Sequence, residues 1–281
     1  MKNKALLVGI NKYPNPSNEL RGCVNDILDL EHYIAETHKV YAKENIKKLT
    51  DKQATKKEIV QQIKWLLADA QAGDSLLFHY SGHGAQVPTQ NKQLEKDGLD
   101  EIICPYDFDG SPATTLRDKE LAALFATIPK EVHFVWISDS CHAEDLSRDL
   151  VGNAANTSNV DNEMRYRYFH GLSPAMINAT NGDNPTNGDY PKMGSSLAPI
   201  VAPLNGALLS ACASHELSAD AIINNRFNGA FTYYLIQNLK MYGADKSMQE
   251  IIHYVNVDLA KNGYDQSPQS EGLLEHTTFF L

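Results

Sequence analysis

Val132-His133-Phe134-Val135-Trp136-Ile137-Ser138-Asp139-Ser140-Cys141-His142 is the stretch on which the reading of this chain turns. Its first six residues are apolar and β-branched but for one histidine. Such a run reads as a strand buried on both faces, the kind found in a parallel sheet covered by helices. The run then stops in Ser-Asp-Ser-Cys-His. In open α/β sheets the ligand crevice lies beyond the carboxyl ends of the strands, so Cys141 stands where a substrate would lie. Most free cysteines are small buried hydrophobes, and this stretch alone does not lift Cys141 above that.

A second strand changes the balance. Asp74-Ser75-Leu76-Leu77-Phe78-His79-Tyr80 is another short apolar run, and it ends in Ser81-Gly82-His83-Gly84. Glycines on both sides of His83 let other groups approach the backbone closely. A histidine fixed at one strand end can face a cysteine fixed at the next, which is the nucleophile-and-base arrangement of cysteine hydrolases.

Outward from these two stretches, apolar strands alternate with helical patterns. Lys4–Ile10 reads as the first strand, and Leu20–Ile34 as a helix with Cys23 and Asp26 on one face near its start. Ile46–Thr50 reads as a second strand, and Thr55-Lys56-Lys57-Glu58 as a capping box opening a helix that runs to about Ala72. A first-turn acid such as Asp26 is also what a helix dipole favours. Ile102–Asp107 is strand-like, a helix begins at Asp118, and Gly206–Cys212 resumes the buried strands. Helices follow over Gly229–Leu239 and Ser247–Leu259, and Thr277–Leu281 reads as a closing strand. This alternation predicts an α/β fold with parallel pairing and helices on both faces.

Between Asp145 and Pro203 the composition turns to Asn, Gly, Ser, Thr and Pro and periodicity is lost. The segment reads as an exposed insert carrying Arg148, Arg165, Arg167 and Lys192. The 281 residues therefore divide as one domain with a half over 1–144, an insert over 145–203 and a second half over 204–281.

The formal net charge of −10 disfavours a nucleic-acid partner, whose phosphates need clustered Lys and Arg, and mildly favours a cationic substrate. No apolar run has the length of a membrane span. The four cysteines, Cys23, Cys104, Cys141 and Cys212, lack metal-ligand spacing. Without an export signal at Met1-Lys2-Asn3-Lys4 they read as reduced thiols of a cytoplasmic protein.

Ser81-Gly82-His83-Gly84 followed by Asp139-Ser140-Cys141-His142 resembles the metacaspases, including the prokaryotic members called orthocaspases. Leu20–Asp26, Asp97-Gly98-Leu99-Asp100-Glu101, Ser218-Ala219-Asp220 and Tyr264–Gln269 extend the resemblance over nearly the whole chain, in order. It implies a caspase-like fold, a six-stranded, mostly parallel sheet, and a cysteine endopeptidase that cuts after Arg or Lys and acts as a monomer. The implied biological role is that of a regulated effector in stress, defence or cell-death responses. Carried over, the family pattern makes Cys141 the nucleophile and His83 its catalytic partner, with the backbone N–H groups of Gly84 and Cys141 as the oxyanion hole. Asp26 and Asp139 line the pocket for the basic side chain, with Cys23 and Ser81 beside them and Asp220 as a further contributor. The surroundings of Cys141 lack the Q-A-C-[RQG]-G form of caspases that cut after Asp.

The chemistry asks for this set independently. A thiolate needs a nearby base, the oxyanion needs N–H donors, the leaving amine needs a proton, and a guanidinium needs carboxylates. The chain departs from the family in Ala143-Glu144, where Ser-Gly is usual, and in Arg117-Asp118, where adjacent aspartates are usual. No cofactor is obligatory for the chemistry. Asp97, Asp100, Asp118 and Asp145 or Asp149 are candidates to bind calcium as an activator, and a small-molecule trigger is a further expectation. The competing readings are an effector silent until a metal or small molecule binds, and a catalytically idle binding module on the same fold.

Overall fold

Asn3–Gly9 (β1) is buried on both faces from Ala5 to Gly9, so it is an inner strand of the main sheet. In the computed structural model, which describes residues 2–89, 99–141, 164–169, 206–214, 216–243, 246–274 and 276–280, β1 lies between Ile46–Thr50 (β2) and Ser75–Ser81 (β3). Gly84–Pro88 (β4), Leu99–Ile103 (β5) and Leu116–Arg117 (β6) make a small antiparallel sheet immediately after β3. His133–Asp139 (β7) pairs in parallel with β3, so that Ser81 and Asp139 stand opposite each other at the carboxyl ends. Met164–Tyr166 (β8) and Gly206–Ser210 (β9) follow, and β9 pairs with β7. Ala219–Ile223 (β10) and Arg226–Gly229 (β11) complete a three-stranded antiparallel sheet with β8. Gln269–Gly272 (β12) closes the main sheet against β9, antiparallel. The main sheet is thus six-stranded, in the order β12-β9-β7-β3-β1-β2, and parallel except at one edge.

Strand side chains alternate between the two faces of a sheet, and here each set meets its own helices. Leu6, Val8, Phe78, Phe134 and Trp136 pack against Lys56–Leu67 (α2) and Asp118–Phe125 (α3) through Ile59, Ile63, Leu121 and Phe125. Ala5, Leu7, Leu77, Val135, Ile137 and Leu209 face the other way. They meet Cys23–His32 (α1), Ala230–Tyr242 (α4) and Met248–Lys261 (α5) through Ile27, Leu30, Phe231, Leu235 and Ile251. Local signals set the helix starts. The Thr55 side chain accepts from the Glu58 N–H at α2, and Ser247 and Glu250 form a reciprocal capping box at α5. Gly9 ends β1 where a Cβ would fall 2.6 Å from the Cys23 carbonyl oxygen, so glycine is what lets the start of α1 close onto the sheet.

Two expectations are corrected. Residues 277–280 form no strand beyond an isolated bridge between Ser247 and Thr278, and β12 takes the edge position instead. Phe279 and Phe280 are both buried, and the Phe279 carbonyl accepts from the His133 ring at 3.1 Å instead of from a strand neighbour. The Phe280 ring packs against Tyr33, His38 and Tyr41, and the Phe279 ring packs edge-on against Phe280. The insert is also not exposed throughout, since β8 and the residues after it are built into the body of the fold. The rest of the insert, with Arg148 and Lys192, lies outside the described residues, as do His142, Asp97, Asp145 and Asp149. Among the described residues no helix is long and apolar enough to cross a membrane.

Candidate active site

The carboxyl ends of β3 and β7 bring the two sequence signals together. Gly82 donates its N–H to the Asp139 carbonyl at 3.2 Å, tying the loop that carries His83 to the end of β7. The His83 N–H donates to the Tyr13 hydroxyl at 3.0 Å, and the His83 carbonyl accepts from Tyr80 Oη at 2.7 Å and from Cys104 N at 2.9 Å. Its ring Nε2 lies 2.8 Å from the Asn18 carbonyl oxygen. A carbonyl can only accept, so Nε2 carries the proton and Nδ1 of the neutral ring is the proton-accepting atom. Asn18, which the sequence alone did not single out, therefore fixes the tautomer.

Cys141 is fully buried, and its sulfur accepts from the Ser218 N–H at 2.7 Å. Cys212 also hydrogen-bonds Cys141, and that contact together with burial raises the Cys212 thiol well above its ordinary pKa. The two backbone N–H groups assigned to the oxyanion hole converge on a single atom. Gly84 N and Cys141 N donate to one carbonyl oxygen, at 2.9 and 3.3 Å. That oxygen belongs to Arg167.

The Arg167 side chain runs from there into a closed chamber and is fully buried. Its Nη2 lies 2.6 Å from Asp26 Oδ2 and 3.8 Å from Asp220 Oδ1, and its Nη1 lies 3.0 Å from Asp139 Oδ1. Nη1 also donates to Ser81 Oγ at 2.6 Å and to the Asp139 carbonyl at 3.1 Å, while Ser81 Oγ donates to Asp26 Oδ2 at 2.8 Å. All the residues assigned to a basic-side-chain pocket thus gather around one guanidinium. Cys23 sits beside them, hydrogen-bonded to Ser81, with burial holding its thiol well above the ordinary range.

Further residues support the acids. Ser218 Oγ donates to Asp139 Oδ1 at 2.7 Å, and Thr232 Oγ1 and N donate to Asp139 Oδ2 at 2.6 and 3.2 Å. The Gly229 N–H donates to Asp26 Oδ1 at 2.9 Å, and the Arg21 N–H to Asp220 Oδ2 at 2.6 Å. A Cβ on Gly229 would collide with the Asp139 carboxylate and the Arg167 guanidinium, so only glycine leaves room for both. Burial pushes Asp26 up to about 7, against the pull of Arg167, and raises Asp220 as well. For Arg167 burial opposes the charge, but Asp139, Cys23, Asp26 and Asp220 outweigh it and its pKa lies well above the ordinary value. Three carboxylates around one guanidinium form a chamber that accepts a cation and excludes an anion.

The calcium candidates behave differently. Asp100 is buried, with one carboxylate oxygen 2.6 Å from Arg117 Nη1 and the other bonded to Lys119 Nζ. Asp118 lies 3.8 Å from Lys119 Nζ. Both Asp100 oxygens already face cations of the chain, so Asp100 does not fit as a calcium ligand. Among the described residues no three His, Cys, Asp or Glu side chains gather as a metal site.

With this geometry established, comparison with known proteins identifies the class. The caspase domain model of peptidase family C14 matches residues 2–279, and the chain belongs to that family, on its metacaspase branch. It is 32% identical over 288 residues to metacaspase-1A of Aspergillus fumigatus, covering 95% of this chain and 68% of that protein. It is 30% identical over 300 residues to metacaspase-1 of Candida albicans, covering 95% of this chain and 64% of that protein. The crystal structure of a Geobacter sulfurreducens protein superposes with a TM-score of 0.68 at 25% identity, covering 100% of this chain and 99% of the other. The chain spans a little under two thirds of the length of several metacaspases it matches, at 61%, 64% and 66%.

Proposed function

We propose that this chain is a cysteine endopeptidase that cuts peptide bonds after arginine, and after lysine, with Cys141 as nucleophile and His83 as its partner. The observation that carries the reading is the placement of Arg167, with its side chain among Asp26, Asp139 and Asp220 and its carbonyl oxygen on the N–H groups of Gly84 and Cys141. That is the pose of a residue about to be cut. In the reaction Cys141 Sγ adds to the arginine carbonyl carbon and gives up its proton to His83 Nδ1. The carbonyl oxygen becomes an oxyanion against the two N–H donors, an interaction worth ~3 kcal/mol or more per donor. His83 returns the proton to the departing amine as the C–N bond breaks. Water then attacks the thioester, loses its proton to the imidazole and frees the new carboxylate and the thiol.

The same pose supports a second reading, that the resting chain occupies its own groove and is silent until residues 164–169 leave or are cut. The bond presented is Arg167–Tyr168. A panel of peptides varied at the residue before the cut, run on the wild type and on Cys141→Ala, tests both readings, with intact-mass analysis of each protein. Cutting after Arg and Lys by the wild type only is the expected result. Equal cutting by Cys141→Ala, or a preference for acidic or apolar residues, overturns the first reading. Full activity of an unclipped wild-type chain, with no lag, overturns the second.

A further inference from the structure

The chain's own segment is gripped beyond the bond it presents as well as before it. Before the bond, Arg167 N donates to the Ser218 carbonyl at 3.0 Å and β8 continues along β10. Beyond it, Gly84 straddles Tyr168, donating its N–H to the Arg167 carbonyl at 2.9 Å and accepting from the Phe169 N–H at 3.0 Å. The Phe169 ring is then buried in an aromatic corner. Its centroid lies 4.9 Å from that of Phe108, 5.9 Å from that of Tyr13 and 5.8 Å from that of His83, and every contact is edge-to-face, at 82°, 77° and 86°. That is the arrangement ring quadrupoles prefer. The corner is rigid because the Tyr13 hydroxyl is held by the His83 N–H at 3.0 Å and bonds the Cys104 carbonyl at 3.3 Å.

We propose that this corner is a substrate subsite that selects an aromatic side chain at the second residue after the cut bond. The inference rests on the reading that residues 164–169 lie as a substrate lies. It adds that Gly84 acts on both sides of the reacting bond and that the base, His83, forms one wall of the subsite. Filling the corner then presses the departing half of the substrate against the group that must protonate it, so the selection falls on kcat as well as on KM.

The experiment uses two quenched-fluorescence peptides, identical around one arginine except for Phe or Ala at the second residue after it. They are given to the full-length wild type and to full-length Arg167→Ala, whose groove is no longer held by its own arginine. The expected result is about tenfold higher kcat/KM for the Phe peptide, which corresponds to about 1.4 kcal/mol. The preference should fall toward unity when Phe108→Leu is added. In the otherwise wild-type chain, Phe169→Ala should raise the rate on the Phe peptide severalfold by loosening the chain's hold on its own groove. Equal rates for the two peptides, with cutting after arginine intact, overturn the aromatic subsite and leave the proposed activity standing. Failure of both proteins to cut either peptide overturns the proposed activity itself. A preference that survives Phe108→Leu unchanged overturns the assignment to this corner.

Discussion

Two buried acid clusters lie within this fold, and they are settled in opposite ways. Around Asp100, two acids, Asp100 and Asp118, meet two cations, Arg117 and Lys119, and three of the four are consecutive or nearly so in sequence. Around Asp26, three acids from α1, β7 and β10 meet one guanidinium, and that guanidinium arrives on a short segment held by backbone hydrogen bonds along its length. The first cluster balances its own charge and has no need of a visitor. The second holds an excess of negative charge that a cation from outside the three elements, or a proton, relieves. A buried carboxylate is thus not by itself a sign of recognition. The sign is an excess of carboxylates whose counter-charge is not supplied by their own elements.

The strongest way to break this contrast is to remove one acid from each cluster. Asp26→Asn should lower kcat/KM for arginine peptides by roughly two to three orders of magnitude, since breaking a buried charge pair costs ~3–5 kcal/mol. Asp100→Asn should leave arginine preference intact and lower the melting temperature instead. Steady-state kinetics and thermal unfolding on the same preparations compare them, and an equal kinetic loss in both would erase the distinction.

Next in size is Arg167→Ala, which leaves three acids without their cation. Its stability should fall by a few kcal/mol at pH 8 and by less at pH 6. The sign follows from proton counting. Asp26 titrates near 7 in the folded chain even with Arg167 present, against an ordinary value of 3.8. Between those values the native state holds a proton that the unfolded state has lost, so stability falls as pH rises through that window. Removing Arg167 takes away the pull that lowers Asp26 and widens the window upward. A melting temperature of the variant that rises from pH 6 to pH 8 relative to wild type would contradict this.

The same titration sharpens substrate binding. A cation binds the ionised chamber; with a guanidinium in place Asp26 titrates near 7 and without one it titrates higher, so KM for arginine peptides should fall as pH rises above 7, by up to about tenfold per pH unit, until the vacant chamber is itself ionised. Asp26→Asn should flatten the profile. The smallest expected effect concerns the balanced cluster. EDTA followed by calcium should change the rate by less than about twofold, because both Asp100 oxygens are engaged by Arg117 and Lys119. Strict dependence on calcium would mean that residues outside this cluster build the site.

The strands that carry the chemistry were the most legible part of the sequence. Runs such as Leu76–Tyr80 and Phe134–Ile137 announce burial on two faces, and the polar residues that interrupt them mark the crevice. Asp26, Asp139 and Ser81 were legible only through the family pattern, because a first-turn acid or a strand-end serine has ordinary local explanations. The antiparallel strands β4, β6, β10 and β11 escaped because they are short, and pairing, not local propensity, makes them strands. Arg167 was visible as a basic residue of the insert, but nothing local distinguishes it from Arg148 or Arg165. Its role depends on Ser218 and Gly84, residues far away in the chain, so only the assembled fold can select it. Asn18 and Thr232 escaped for the same reason, since each acts through long-range hydrogen bonds to a group already identified.

The chamber that holds Arg167 takes Asp26 and Asp139 from the first half of the chain and Asp220, with Ser218, from the second. A ribosome that has not yet released residues 218–220 has therefore made the sulfur and the imidazole but not the complete charge-selective wall, nor the sulfur's backbone partner. Assembly of that wall therefore waits on β10, however early the nucleophile and the imidazole are made.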